Sequence, residues 1–381
     1  MAEEKAKIVV LLHAYYLDDS RVRRHCEWLA KCQKDITVIC LNKGQESKCS
    51  MENDVRIIRA PVSRSESKSK LSYMLEYFLF FLYCCYKATV LSLIKRPKLI
   101  IVNNMPNALV FAAFVPRILG VPVLLDVHDL MPELCDVVFK GKAKLLRKIL
   151  LFEEKLSFMF ASHLMTVSYP VKKLLKKRTL KPLHVTHNSP SQLTVVDKKE
   201  QQEVKILFHG NIHERYGVQR LIEPLSNLEK KGYEFSFDIF GKGPYTQELI
   251  KQTASHDFIT YQGSFMPVDV PNILSSATVG VIMNYPNPSN DFALPVKMLE
   301  YVANRVPVIC PKLPIIKEYF SEESVFYFTD DSDLQEVMET MLGDKNLRRQ
   351  KSENALEDFN SISWDKEKEV YLNFIEACYE L

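Results

Sequence analysis

A chain of 381 residues is too long for one ordinary hydrophobic core and points to two domains or more. Its 47% hydrophobic and 25% charged residues are globular values that exclude a largely disordered chain, and 11 glycines leave little room for glycine-rich loops. The net charge of +3 hides an asymmetry: residues 1–195 carry 31 Lys and Arg against 17 Asp and Glu, while residues 196–381 carry 19 against 30.

The opening "MAEEKAKIVVLL" puts acidic residues ahead of a strand-like run with no small-residue cleavage site, so no signal peptide is expected. Strand-like runs then alternate with helical patterns: "KIVVLLHA", "DITVICL", "DVRIIRAP", "KLIIVNN", "VPVLLDVHD", "HLMTVS" and "LHVTHNS". Most are continuously apolar, as expected of parallel strands covered on both faces. The nine cysteines lack CxxC spacing and read as buried thiols of a reducing, cytoplasmic compartment. Between these strands, residues 71–94 form an apolar stretch that Glu76 and Lys87 interrupt. A spanning helix needs about 20 apolar residues, so a helix inside the fold or touching a bilayer is expected. Three basic segments, 64–70, 140–148 and 172–181, suit either an anionic inner-membrane surface or a solvated face.

Periodicity fades near residue 190, which places a linker at 191–203 between a first domain, 1–190, and a second, 204–364. The second series is "VKILFHGN", "FSFDIFGKG", "FITYQGS", "ATVGVIMN", "VPVICP" and "SVFYFTD". The expected fold class is α/β, two tandem Rossmann-like domains with ligands at the carboxyl ends of the strands.

The stretch "ALPVKMLEYV" carries the chemistry. Pro295 suits a helix's first turn, where its missing N–H costs nothing, and the exposed backbone amides there, with the helix dipole, favour a diphosphate. Lys297 adds charge, and Glu300 falls on the same side, placed to accept from a ribose diol. The same spacing also describes an i,i+3 surface pair. His128 ends the run "LLDVHD", at the strand end where ligands bind in such folds. His209 and His213 are four apart but lack the HExxH glutamate, so a zinc site is not expected, and no aromatic pairing suggests nucleic acid.

With "LPVKMLEYVANRVPVI" go "DDSRVRRHCEWLAK", "RPKLIIVNN", "GVPVLLDVHDLMPEL", "LFHGNIHERYGVQRLI", "IFGKGPYTQEL" and "ITYQGSFMPVDVPNILSSATVGVIMN". In order and spacing this set resembles the family 4 glycosyltransferases, which are mostly retaining enzymes of the GT-B fold. The resemblance implies two domains facing each other across a cleft, with residues 365–381 crossing back to the first. It implies a UDP- or GDP-sugar donor and a lipid-linked or polysaccharide acceptor, with no cofactor and no metal. Glu300 resembles the ribose-binding glutamate, and Lys297 with Leu294, Pro295 and Val296 the phosphate platform. Arg215 stands for the phosphate arginine, and Asn211 occupies the position of another family cation; Gly243, in "FGKGP", suits a strand-to-helix turn beside the nucleotide, or a plain turn. Phe292 sits where the family usually has an acidic residue, with Asp291 beside it as the substitute. His128 corresponds to the sugar-orienting histidine and Asp129 to an acceptor-side helper. A donor-binding subunit without activity and a nucleotide-sugar epimerase are the alternatives.

Overall fold

The computed structural model describes residues 5–44, 46–64, 70–191, 203–266 and 269–380. The expected linker at 191–203 and the basic stretch at 64–70 lie almost entirely outside these. The chain divides into two units, Met1–His187 with Glu367–Leu381, and Asn188–Lys366.

The first unit runs β1 (Lys7–Leu12), α1 (Ser20–Lys31), β2 (Asp35–Cys40), β3 (Cys49–Glu52), β4 (Val55–Arg59), α2 (Lys70–Lys95) and β5 (Leu99–Asn103). It continues with a 3-10 turn at Asn107–Ala113, α3 (Phe114–Ile118), β6 (Val123–Val127), α4 (Met131–Val138), α5 (Lys144–Phe160), β7 (His163–Thr166), α6 (Tyr169–Leu175) and β8 (Leu183–Val185). The strands form an eight-stranded sheet in the order β3-β4-β2-β1-β5-β6-β7-β8, parallel except for β3. β1 leads leftward to β2 through α1, whereas α2, α3, α5 and α6 lead rightward. Right-handed crossovers therefore put α1 on one face and the other four on the opposite face. The point where the direction reverses lies between β1 and β5, where such sheets open a crevice.

Every strand expected for this unit is present. β3 escaped notice because "CSME" is only four residues long and buries none of them, alternating between exposed and half-buried positions as an edge strand can. It returns into β4 through Asn53 and Asp54, both at positive φ, the backbone a two-residue hairpin turn requires.

The second unit runs β9 (Val204–Asn211), α7 (Ile222–Lys230), β10 (Phe235–Lys242), α8 (Thr246–Thr253), β11 (Ile259–Gly263), α9 (Val270–Ser275) and β12 (Val279–Val281). There follow α10 (Val296–Ala303), β13 (Val308–Pro311), α11 (Pro314–Lys317), β14 (Phe326–Phe328), α12 (Asp331–Gly343), α13 (Lys345–Asn360) and α14 (Trp364–Ala377). Its six strands are all parallel, in the order β11-β10-β9-β12-β13-β14. Along β9, Ile206 and Phe208 pack into one apolar cluster and Leu207 into another. Both faces are thus covered, which is why the strands read as unbroken apolar runs. Here the reversal lies between β9 and β12.

From Glu367 onward α14 belongs to the first unit. Glu367 accepts from the backbone N–H of His187 at 2.6 Å, and Trp28 Nε1 donates to the Lys368 carbonyl at 3.0 Å.

Candidate active site

In the second unit the candidate residues gather at the carboxyl end of β9. α10 starts at Val296, with Pro295 as its N-cap. The sequence reading put Pro295 inside the first turn; its ψ of 117° holds it just outside. Lys297 is therefore the second helical residue, and Glu300 lies one turn deeper. The Val296 and Lys297 amides precede the first helical hydrogen bonds, made by Met298 and Leu299 to the Pro295 carbonyl.

Lys297 Nζ stands 4.1 Å from the centre of the Phe208 ring and 5.5 Å from that of Tyr216. Loss of hydration there pushes its pKa down to about 7, with Glu300 acting the other way. Arg215, exposed on the short turn after β9, lies 5.0 Å from the same Tyr216 ring and donates from Nη2 to its hydroxyl at 3.2 Å. Tyr216 thus joins the two cations. Gly217 ends that turn at φ +70°, where a Cβ would come 2.3 Å from the Met283 carbonyl oxygen.

His209 is buried beside these groups, with Nε2 3.6 Å from Glu300 Oε2. Burial, then Lys297, lowers its pKa to about 3, so the ring is neutral. Its backbone N–H donates to the Tyr301 hydroxyl at 3.2 Å, and that hydroxyl donates to the Leu207 carbonyl at 3.0 Å. Tyr301 thereby ties α10 to β9. Asn211 and Gly243 also meet: a Cβ at Gly243 would lie 2.5 Å from Asn211 Oδ1 and 2.1 Å from the Ile212 carbonyl oxygen. Asp291 sits on the loop before α10, which Asn287 and Asn290 brace through hydrogen bonds to Ser289, Asn290 and the Tyr285 carbonyl. Burial raises its pKa.

In the first unit His128 follows β6. Arg21, almost fully buried on α1, bonds Asp126 Oδ2 from Nη1 at 2.6 Å and His128 Nδ1 from Nη2 at 2.7 Å. Asn103, level with Asp126 in the sheet, accepts from Arg21 at 3.4 Å. Asn104 Oδ1 accepts from the backbone N–H groups of His128 and Asp129 at 3.0 and 3.2 Å, and its Nδ2 donates to the Asp129 carbonyl at 2.7 Å. A guanidinium only donates, so Nδ1 of His128 must be the acceptor and the proton sits on Nε2. Burial and the adjacent Arg21 hold the His128 pKa well below its usual value. Asp129, more exposed, brings Oδ2 to 3.7 Å from that Nε2. The arrangement offers a fixed, neutral N–H donor beside a carboxylate.

Residues 19–188 match the glycosyl transferase 4-like domain, and residues 193–358 match the glycosyl transferases group 1. The chain belongs to the group 1 glycosyltransferases of the GT-B fold. A sucrose-phosphate synthase from Thermosynechococcus elongatus has the same fold, with a TM-score of 0.76 at 16% identity over 98% of this chain and 100% of the other. Anabaena HepE in complex with UDP and glucose gives 0.71 at 12% identity over 98% and 100%. A chitobiosyldiphosphodolichol beta-mannosyltransferase from Kluyveromyces lactis is 24% identical over 146 residues, 37% of this chain and 32% of that enzyme. The glycosyltransferase described here therefore matches about a third of that relative's length.

Sequence reasoning missed Arg21 and His209 as members of these clusters. Nothing in "DDSRVRRH" distinguishes the buried Arg21 from the half-buried Arg23 and Arg24. His209 was weighed only as a metal ligand, although its place two residues before the end of β9 aims it at the same crevice as Asn211.

Proposed function

We propose that this glycosyltransferase takes a hexosyl group from a UDP- or GDP-sugar and passes it, with retention, to a lipid-linked or polysaccharide acceptor. One observation carries the reading: Arg215 and Lys297 converge on Tyr216 beside the free amides of α10, with Glu300 one turn further. Two cations and helix-end amides suit a diphosphate, and a carboxylate suits a ribose diol. The bond from the sugar's anomeric carbon to the diphosphate oxygen breaks, and one to the acceptor oxygen forms. The acceptor's proton passes to the departing diphosphate, whose charge Arg215, Lys297 and the amides stabilise. His128 donates its Nε2–H to a sugar hydroxyl, and no cofactor or metal is required. The UDP and glucose held by Anabaena HepE support such a donor, and the yeast relative's name supports a dolichol-like lipid carrier.

That same name, a beta-mannosyltransferase, favours one second reading, inversion, with Asp129 accepting the acceptor's proton. Thermal-shift screening against nucleotide sugars, followed by the anomeric configuration of the product, tests the assignment. Retained configuration supports the first reading and inverted configuration the second. Binding without any released nucleotide would leave an inactive subunit, and conversion of the donor sugar without acceptor an epimerase.

A further inference from the structure

The helix layer formed by α2, α3 and α5 carries large apolar side chains on its outer face. On α5, Leu145, Ile149, Phe152, Leu156 and Met159 recur at helical spacing and are all exposed, Leu145 by 73% and Phe152 by 62%. Two of its carboxylates, Glu153 and Glu154, turn inward instead. Glu154 is buried and pairs with Arg178, which also bonds the buried Glu133 of α4, while Glu153 accepts from Ser157 and Asn107. The turn before α3 brings Phe111 to within 5.1 Å, between ring centres, of Phe160 at the end of α5. α3 itself exposes Phe114 and Ile118, and α2 exposes Met74, Phe78 and Leu82. α2 is long and apolar enough to cross a membrane by length and composition. Its other side, however, is packed into the unit: Phe80, Cys84 and Ala88 are buried, and Glu76 lies 3.6 Å from the buried His13. The helix lies along the sheet.

Charge selects the partner. Lys144, Lys148 and Lys155 are exposed along the apolar stripe of α5, whereas Glu76, Glu133 and Glu154 are buried. Protein interfaces deplete lysine at their centres. Lysines beside an apolar helical stripe suit a bilayer, where the stems lie in the interface and the ammonium groups reach anionic headgroups. We propose that the outer face of α2, α3 and α5 docks onto an anionic phospholipid bilayer, with the helices lying in its surface. The proposal is independent of the donor and acceptor assigned above.

The test is cosedimentation of the full chain with vesicles of phosphatidylcholine alone or with about 30% phosphatidylglycerol added. The expected result is binding that is strongest to the anionic vesicles and weakens with salt. Ile149→Asp with Phe152→Asp should lower it about tenfold or more, with melting temperature and UDP binding unchanged. Lys144→Glu, Lys148→Glu and Lys155→Glu together should remove the preference for anionic vesicles. Wild-type protein that ignores both vesicles, or binding that survives Ile149→Asp with Phe152→Asp, overturns the proposal. A dimer that the aspartates dissociate, without vesicle binding, would assign the face to a second copy instead. UDP binding is read separately, so failure here leaves the donor assignment standing.

Discussion

Arg21 donates from Nη2 to Nδ1 of His128 at 2.7 Å while its Nη1 bonds the buried carboxylate of Asp126. One buried guanidinium thus fixes both the tautomer and the charge of the histidine. Nitrogen-15 NMR should show His128 with an unprotonated Nδ1 and a protonated Nε2, persisting well below pH 6.5 because its pKa is lowered. Replacing His128 with Ala should reduce turnover about a hundredfold or more while leaving UDP affinity within a few-fold.

The Arg21–Asp126 pair gives a stability test. Arg21→Met leaves a buried carboxylate without its partner and should cost about 3–5 kcal/mol in urea denaturation. Arg21→Met with Asp126→Leu should be the more stable of the two, since no charge is then stranded. Equal losses in both variants would show that packing, and not charge, sets the penalty.

Lys297 should make donor binding depend on pH. Its free pKa of about 7 means that the ammonium is largely deprotonated above that value, whereas a bound diphosphate favours the charged form. Binding at about pH 8.5 should therefore take up close to one proton, seen by calorimetry in buffers of different ionisation enthalpy, and affinity should fall as pH rises from there. Lys297→Met should take up none.

Glu300 should read the ribose. Glu300→Ala is expected to weaken UDP about 10- to 100-fold, the range for hydrogen bonds to a charged group. A 2′-deoxy nucleotide should lose affinity for the wild type and much less for the variant. Full additivity of the two changes would place the sugar elsewhere.

Gly217→Ala tests the turn that carries Arg215. With φ at +70° and the Met283 carbonyl oxygen 2.3 Å from the new Cβ, the backbone must shift. A loss of about 1–3 kcal/mol is expected, together with weaker UDP binding.

Much of this architecture is legible in the residues themselves. The parallel strands announce themselves because burial on both faces demands unbroken apolar runs, as in "KIVVLL" and "VLLDV". Lys297 and Glu300 could be placed because helical spacing fixes which side they share. β3 could not, since an exposed edge strand needs no apolar pattern. Arg21 was hidden for the opposite reason: burial of a charge depends on Asp126, 105 positions away. α5 shows a third limit. Its apolar stripe has ordinary amphipathic periodicity, and periodicity alone does not say which side faces the sheet; the partnership of Glu154 with Arg178 decides that.

The most direct measurement is calorimetric titration of UDP and GDP into the wild type and into Arg215→Ala with Lys297→Met. If the end of β9 and the start of α10 grip a diphosphate, one nucleotide should bind the wild type and lose about 100-fold or more in the double variant. Equal affinity for both proteins, or no binding of either nucleotide to the wild type, would contradict it.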